Sequence, residues 1–188
     1  TLVFAAQYRS ADDSPHAGRP FSTILCSRDH GETWQLGTGV KVDTTEAQVV
    51  ELGDGSLMLN CRDNRGGARS VYTTRDLGRT WHAHATTRAA LPEPVCMASL
   101  LRVERDGAGP LLLFSNPATR SGRRDLTLKI SDDDGATWPP HRHTLYDQRA
   151  SYGYSCLTRI DDRYVGVLYE GTGALYFLLA AVGIFTLL

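Results

Sequence analysis

Glu46 and Arg62 bracket a stretch that reads as strand, tight turn, strand: residues 45–52, the turn Gly53-Asp54-Gly55, then residues 56–63. Such a hairpin brings Arg62 back to the end at which Glu46 begins. A charged pair there is ordinarily a solvated salt bridge, and it becomes chemistry only in company. Strand alternation puts Glu46, Gln48 and Val50 on one face and Val49 and Glu51 on the other, so Glu46 and Glu51 cannot share a task. The company stands downstream: Ser115-Asn116-Pro117, then Arg123-Arg124-Asp125, then Gly153-Tyr154-Ser155-Cys156 and Leu168-Tyr169-Glu170. Arginines grip oxyanions, a glutamate accepts a proton, and a tyrosine relieved of its proton can attack.

Other chemistries find little support. Cys26, Cys61, Cys96 and Cys156 form no Cys-x-x-Cys pair and no histidines cluster with them, which argues against zinc and thioredoxin-like sites; their apolar or small neighbours predict buried thiols. No metal or other cofactor is called for. With 20 basic against 21 acidic side chains the net charge is -1, so no basic excess points to nucleic acid.

What must position these residues is a repeat. Ser27-Arg28-Asp29-His30-Gly31-Glu32-Thr33-Trp34 recurs as Thr74-Arg75-Asp76-Leu77-Gly78-Arg79-Thr80-Trp81 and as Ser131-Asp132-Asp133-Asp134-Gly135-Ala136-Thr137-Trp138. The shared pattern Ser/Thr-x-Asp-x-Gly-x-Thr-Trp predicts a hairpin turn: Asp accepts from its own backbone, Gly supplies a positive φ, and Trp anchors the turn to apolar surface. A strand precedes each copy (residues 21–26, 70–74 and 126–130), and further strands are expected at 1–6, 47–52, 56–61, 97–103, 111–115, 155–160 and 164–169. Each repeat suits one four-stranded blade, which gives an all-β chain of about three to four blades. A chain of 188 residues with 41% hydrophobic and 22% charged side chains is ample for one folded unit, but closed propellers usually need more blades.

These repeats are Asp boxes, and they resemble those of the sialidase (neuraminidase) superfamily; similar boxes also occur in propellers that are not sialidases, so they carry no function by themselves. The boxes interleaved in order with Glu46, Arg62, Arg123, Tyr154 and Glu170, together with Pro94-Val95-Cys96-Met97-Ala98-Ser99, make residues 1–172 resemble an exo-α-sialidase. The resemblance implies part of a six-bladed propeller and a retaining glycosidase that releases terminal sialic acid from sialylated glycoconjugates or free sialosides. It assigns Arg62 and Arg123 to two of three arginines that hold the sugar carboxylate, with Arg124 the rival of Arg123. It makes Tyr154 the nucleophile, with Tyr152 as rival, Glu46 its base, and Glu170 the residue that orients the first arginine. A neutral phenol suits a reacting carbon that carries a carboxylate, because an anionic nucleophile would be repelled.

The family's first arginine and its acid/base aspartate have no match here, so the resemblance implies the C-terminal half of such an enzyme, inactive alone. A non-catalytic carbohydrate-binding or interaction propeller and a trans-sialidase are the competing readings. Secretion, the periplasm or the cell surface would follow by family analogy. Residues 173–188 stand apart: a buried strand is expected at 173–179, followed by an atypical tail, and the uncharged run 174–188 would reach a membrane only as part of a longer span.

Overall fold

The structure, a computed structural model, describes residues 1–105 and 107–181. Among these residues the strands form four antiparallel sheets, each a meander in chain order. The first sheet holds β1 (Leu2–Arg9), β2 (Pro20–Ser27) and β3 (Gln35–Leu36). The second holds β4 (Thr44–Glu51), β5 (Leu57–Asp63), β6 (Ser70–Thr74) and β7 (His82–Ala83). The third holds β8 (Ser99–Arg105), β9 (Ala108–Pro117), β10 (Leu126–Ser131) and β11 (His143–Asp147), and the fourth β12 (Ser155–Arg159), β13 (Tyr164–Glu170) and β14 (Leu175–Ala181). The expected all-β, bladed architecture is the one observed. First strands of successive sheets adjoin, β4 against β8 and β8 against β12, as blades do around an axis.

The core lies between sheets rather than within one. Ile24 of the first sheet packs with Leu59 and Cys61 of the second; Met58 and Val71 of the second with Leu100, Leu112 and Phe114 of the third; Leu113 and Leu128 of the third with Leu157, Val165 and Val167 of the fourth. Alternating strands bury both faces this way, so each sheet needs its neighbours to remove its apolar surface from water.

Each box joins the third strand position of a blade to a short outer strand, β2 to β3, β6 to β7 and β10 to β11. In the third box, Ser131 Oγ donates to Asp133 Oδ1 at 2.6 Å and accepts from Gly135 N at 2.9 Å, while Thr137 donates through its backbone and hydroxyl to the two Asp133 oxygens. The same bonds recur around Asp29 and Asp76. The glycines have positive φ as expected (+96°, +79° and +80°), and so do the residues before them, His30, Leu77 and Asp134.

The boxes also clamp neighbouring sheets. Gly78 sits on Ile24 and Gly135 on Met58, both of the preceding sheet, and Asp134 Oδ2 accepts from Gly53 N at 2.9 Å. The three tryptophans therefore differ from the single role expected of them. Trp138 is buried edge-on against Phe114, Trp81 Nε1 donates across to Thr38 O, and Trp34, 39% exposed, bonds only its own turn through Gly31 O.

Two further expectations need correcting. Cys156 is exposed, because β12 turns Ser155 and Leu157 inward and the residue between them outward; the other three thiols are buried. The last strand runs Leu175–Ala181 rather than 173–179, since Gly173 takes a positive φ (+76°) and Gly171 N donates to Ala174 O, forming a turn where the strand was expected to begin, and instead of being buried it leaves Leu175, Phe177 and Leu179 exposed on one face. The tail from 182 onward lies outside the described residues. Among the described residues no helix is long and apolar enough to cross a membrane.

Candidate active site

The register places all the chemistry-bearing residues at one end of the sheets and the boxes at the other. Glu46 and Arg62 lie at the start of β4 and the end of β5, Arg123 and Tyr154 just before β10 and β12, and Glu170 at the end of β13. The Gly53-Asp54-Gly55 turn, beside the third box, is at the far end of the same hairpin.

Glu46 does not follow simple alternation. Thr45 pairs with Arg62 and Ala47 with Cys61, so Glu46 is the extra residue of a β-bulge, and the expected common face of Glu46, Gln48 and Val50 is broken there. A bulge re-aims one side chain. Here the Glu46 carboxylate meets both Arg62, whose Nη1 donates to Oε2 at 2.5 Å, and the Tyr154 hydroxyl, which donates to Oε1. Arg62 Nη1 also donates to Tyr154 Oη at 3.3 Å, while Arg62 Nε is buried with no partner.

Tyr154 is delivered by a glycine. At Gly153 φ is +87°, and a β-carbon there would stand 2.9 Å from Pro117 Cγ and 3.1 Å from Cys96 Sγ, so only glycine lets the chain pass. Glu170 N then donates to Tyr154 O at 2.9 Å. Burial, reinforced by the Glu46 carboxylate, pushes the Tyr154 phenol above its ordinary range, so it is protonated at neutral pH.

Arg123 stands over the Tyr154 ring, its Cζ 5.6 Å from the ring centroid. Its two terminal nitrogens donate to Tyr152 O and Val95 O, each at 2.9 Å. Arg124 turns instead toward Asp125, and the Tyr152 side chain is 69% exposed. Val95 itself has φ +57°, an uncommon and strained setting for a β-branched residue. Thus Glu46, Arg62, Arg123 and Tyr154 come together from three sheets, whereas Glu170 joins them only through its backbone: among the described residues its side chain makes no hydrogen bond.

Beneath this group lies a buried layer that sequence reasoning missed. Arg69, fully buried, donates to Asn60 Oδ1 at 2.7 Å, to Cys96 O at 2.9 Å and to the carbonyl of Glu46 at 3.4 Å. Its ionic partner Glu93, equally buried, lies 3.9 Å away and accepts from Cys96 N. Buried charge of this kind persists only when paired and hydrogen-bonded. Lys129, on the central face of β10, is buried with Asn116 Oδ1 at 2.5 Å. A lysine inside Leu126-Thr127-Leu128-Lys129-Ile130 was a legible signal; Arg69, at the edge of a polar turn, was not. Among the described residues no group of three or more His, Cys, Asp or Glu could hold a metal ion.

Comparison with known proteins identifies the family. Residues 4–167 match the family described as BNR repeat-like domain. The chain belongs to that family. It is 48% identical to a sialidase of Bacteroides fragilis over 93% of its own length and 32% of the relative's. The solved structure of a Hadza microbial sialidase superposes with a TM-score of 0.89 at 51% identity, covering 97% of this chain and 35% of that one. A Trypanosoma rangeli sialidase, solved with 2,3-difluorosialic acid as a covalent intermediate, gives 0.71 at 27% identity, covering 95% and 28%. The chain thus spans about a third of the length of these BNR-repeat relatives.

Proposed function

We propose that this chain carries the nucleophile half of an exo-α-sialidase site, in which the whole protein releases terminal sialic acid from glycoconjugates with retention of configuration. The observation that carries the reading is the hydrogen bond from the Tyr154 hydroxyl to the Glu46 carboxylate, flanked by Arg62 and Arg123. Arg62, with its unpaired Nε, and Arg123 hold the sugar carboxylate by charge-assisted bonds. Tyr154 Oη then attacks the anomeric carbon as its proton passes to Glu46, and the bond from that carbon to the leaving oxygen breaks. Attack and proton transfer must be coupled, because the phenol is protonated at rest. Water later displaces the tyrosine, which recovers its proton. Glu170 has the part of orienting the first arginine of the grip, which is supplied from elsewhere in the whole protein. The covalent difluorosialic acid complex of the trypanosomal relative supports a covalent intermediate on this fold.

The acid/base aspartate that the family resemblance calls for has no match in this sequence, so the proton for the leaving oxygen comes from elsewhere in the whole protein. The isolated chain is therefore inactive. Incubation with a fluorogenic sialoside tests this: no release is expected from the chain alone, and in the full-length protein Tyr154→Phe should abolish release. Turnover by the isolated chain, or undiminished turnover by the full-length variant, overturns the reading.

A further inference from the structure

Just after Arg62 the chain leaves β5 through Asp63 and turns at Gly66 and Gly67, both with positive φ (+71° and +85°). The turn presents its carbonyls to two arginines from different sheets. Arg88, beyond β7, donates through Nη1 to Gly66 O at 2.9 Å, and Arg120, between β9 and β10, donates through Nη1 to Gly67 O at 3.0 Å. The point a β-carbon of Gly67 would occupy lies 3.9 Å from Arg120 Nη1 and 4.0 Å from Arg88 Nη2. Two exposed guanidinium groups therefore face one open point over a glycine.

Charge balance there is poor. Asp63 is buried, and its one carboxylate is shared by Arg65 Nη2 at 2.6 Å, Arg88 Nη1 at 3.2 Å and Lys41 Nζ at 3.7 Å, with the Ser70 hydroxyl donating as well. Arg120 has no ion-pair partner among the described residues. Like charges gathered at this density are costly unless an anion joins them. The turn also touches the site already described: a β-carbon on Gly66 would lie 3.1 Å from Val95 Cγ2, and Val95 O holds Arg123.

From this we infer that Arg88 and Arg120 form a subsite for a second oxyanion, a carboxylate or sulfate carried by the same glycan whose terminal sugar occupies the Tyr154 site; the inference rests on the function proposed above. Main-chain carbonyls of Gly66 and Ala68 with the Asp63 carboxylate hold Arg88, and the Gly67 carbonyl holds Arg120, each through Nη1, which leaves Nε and Nη2 donors for the anion.

Two measurements test it. First, the full-length protein is titrated with sodium sulfate at constant ionic strength and followed through its arginine side-chain resonances. Saturable binding should weaken about tenfold in Arg120→Gln and in Arg88→Gln, the scale of one lost charge-assisted hydrogen bond. Arg159→Gln, which loses only local contacts with Asp161 O and Asp162 on the β12–β13 turn, should bind sulfate as before. Arg120 makes a single exposed bond, so its variant decides the matter even if Arg88→Gln fails to fold. Undiminished sulfate affinity in Arg120→Gln overturns the subsite.

Second, the full-length protein is offered a monosialyl glycan, a disialyl glycan and a sulfated sialyl glycan. A KM about tenfold lower for a doubly charged substrate, with that advantage lost in Arg120→Gln, supports the subsite, and the preferred substrate tells carboxylate from sulfate. Equal KM for all three with normal turnover overturns the subsite and leaves the sialidase reading intact. Sulfate binding that responds to both variants, without turnover of any glycan, supports the anion site and defeats the sialidase reading instead.

Discussion

Within each box, hydrogen bonds join residues two to four apart in the chain, as from Ser131 to Asp133 and from Thr137 to Asp133. At the Tyr154 end they span 16 residues from Arg62 to Glu46, 28 from Arg123 to Val95 and 92 from Arg62 to Tyr154. The box end is thus rebuilt three times with one geometry, whatever its neighbours. The other end exists only when three sheets stand in place together. Local bonding makes a stable turn that any propeller can reuse, whereas long-range convergence makes a pocket whose side chains are free to differ.

The largest effect that would test this division is on rate. Glu46→Gln in the full-length protein should lower sialoside turnover about 10²–10⁴-fold, the usual contribution of a general base. Its thermal midpoint should hardly move, since the Glu46 side chain is 30% exposed. A fall in midpoint as large as that caused by a box variant would break the separation of chemistry from stability.

Next come the clamps. In Gly78→Ala the new β-carbon would stand 2.9 Å from Ile24 Cγ1, at φ +79°, and should cost about 1–3 kcal/mol in denaturant unfolding. In Gly31→Ala nothing stands closer than 3.6 Å, so only the left-handed backbone cost of about 1–2 kcal/mol applies. Equal losses would mean that clamping on the preceding sheet adds nothing to a box.

Other effects are read through pH. Burial lowers the Lys129 ammonium from its ordinary 10.5 to about 7. Between those values the unfolded chain binds more protons than the folded one, so stability should rise as pH increases from about 7 toward 10. Lys129→Met should abolish that rise, as measured by unfolding at several pH values. In the boxes stability rises with pH as well, but at acid pH and because the charged form is favoured: bonds from Thr33 and Ser27 hold the Asp29 carboxyl at about 2. Their contribution is complete above the ordinary carboxylate range and is lost as pH falls through about 2, and Asp29→Asn should flatten this part of the acid unfolding curve.

Much of the fold was legible because its signals are short-range. The strand expected at 70–74 is β6 itself, and most others were shortened by one to three residues at an end, where pairing with a neighbour extends a strand past its apolar pattern. The Glu46 bulge was not legible, since a bulge depends on the partner strand's register. Nor was the exposure of Cys156, which depends on which face of β12 has a sheet against it.

The sequence by itself determined the three boxes and most strands, because turn chemistry and alternation act over a few residues, and the order of Glu46, Arg62, Arg123, Tyr154 and Glu170 among the boxes carried the family resemblance. Only the tertiary structure decided that Glu46, Arg62, Arg123 and Tyr154 meet while Glu170 stays apart, that Arg69 and Glu93 lie buried beneath them, and that Arg88 and Arg120 face each other over Gly67. Side chains from different sheets are brought within bonding distance only when the apolar faces between those sheets are buried, and no local pattern encodes that closure.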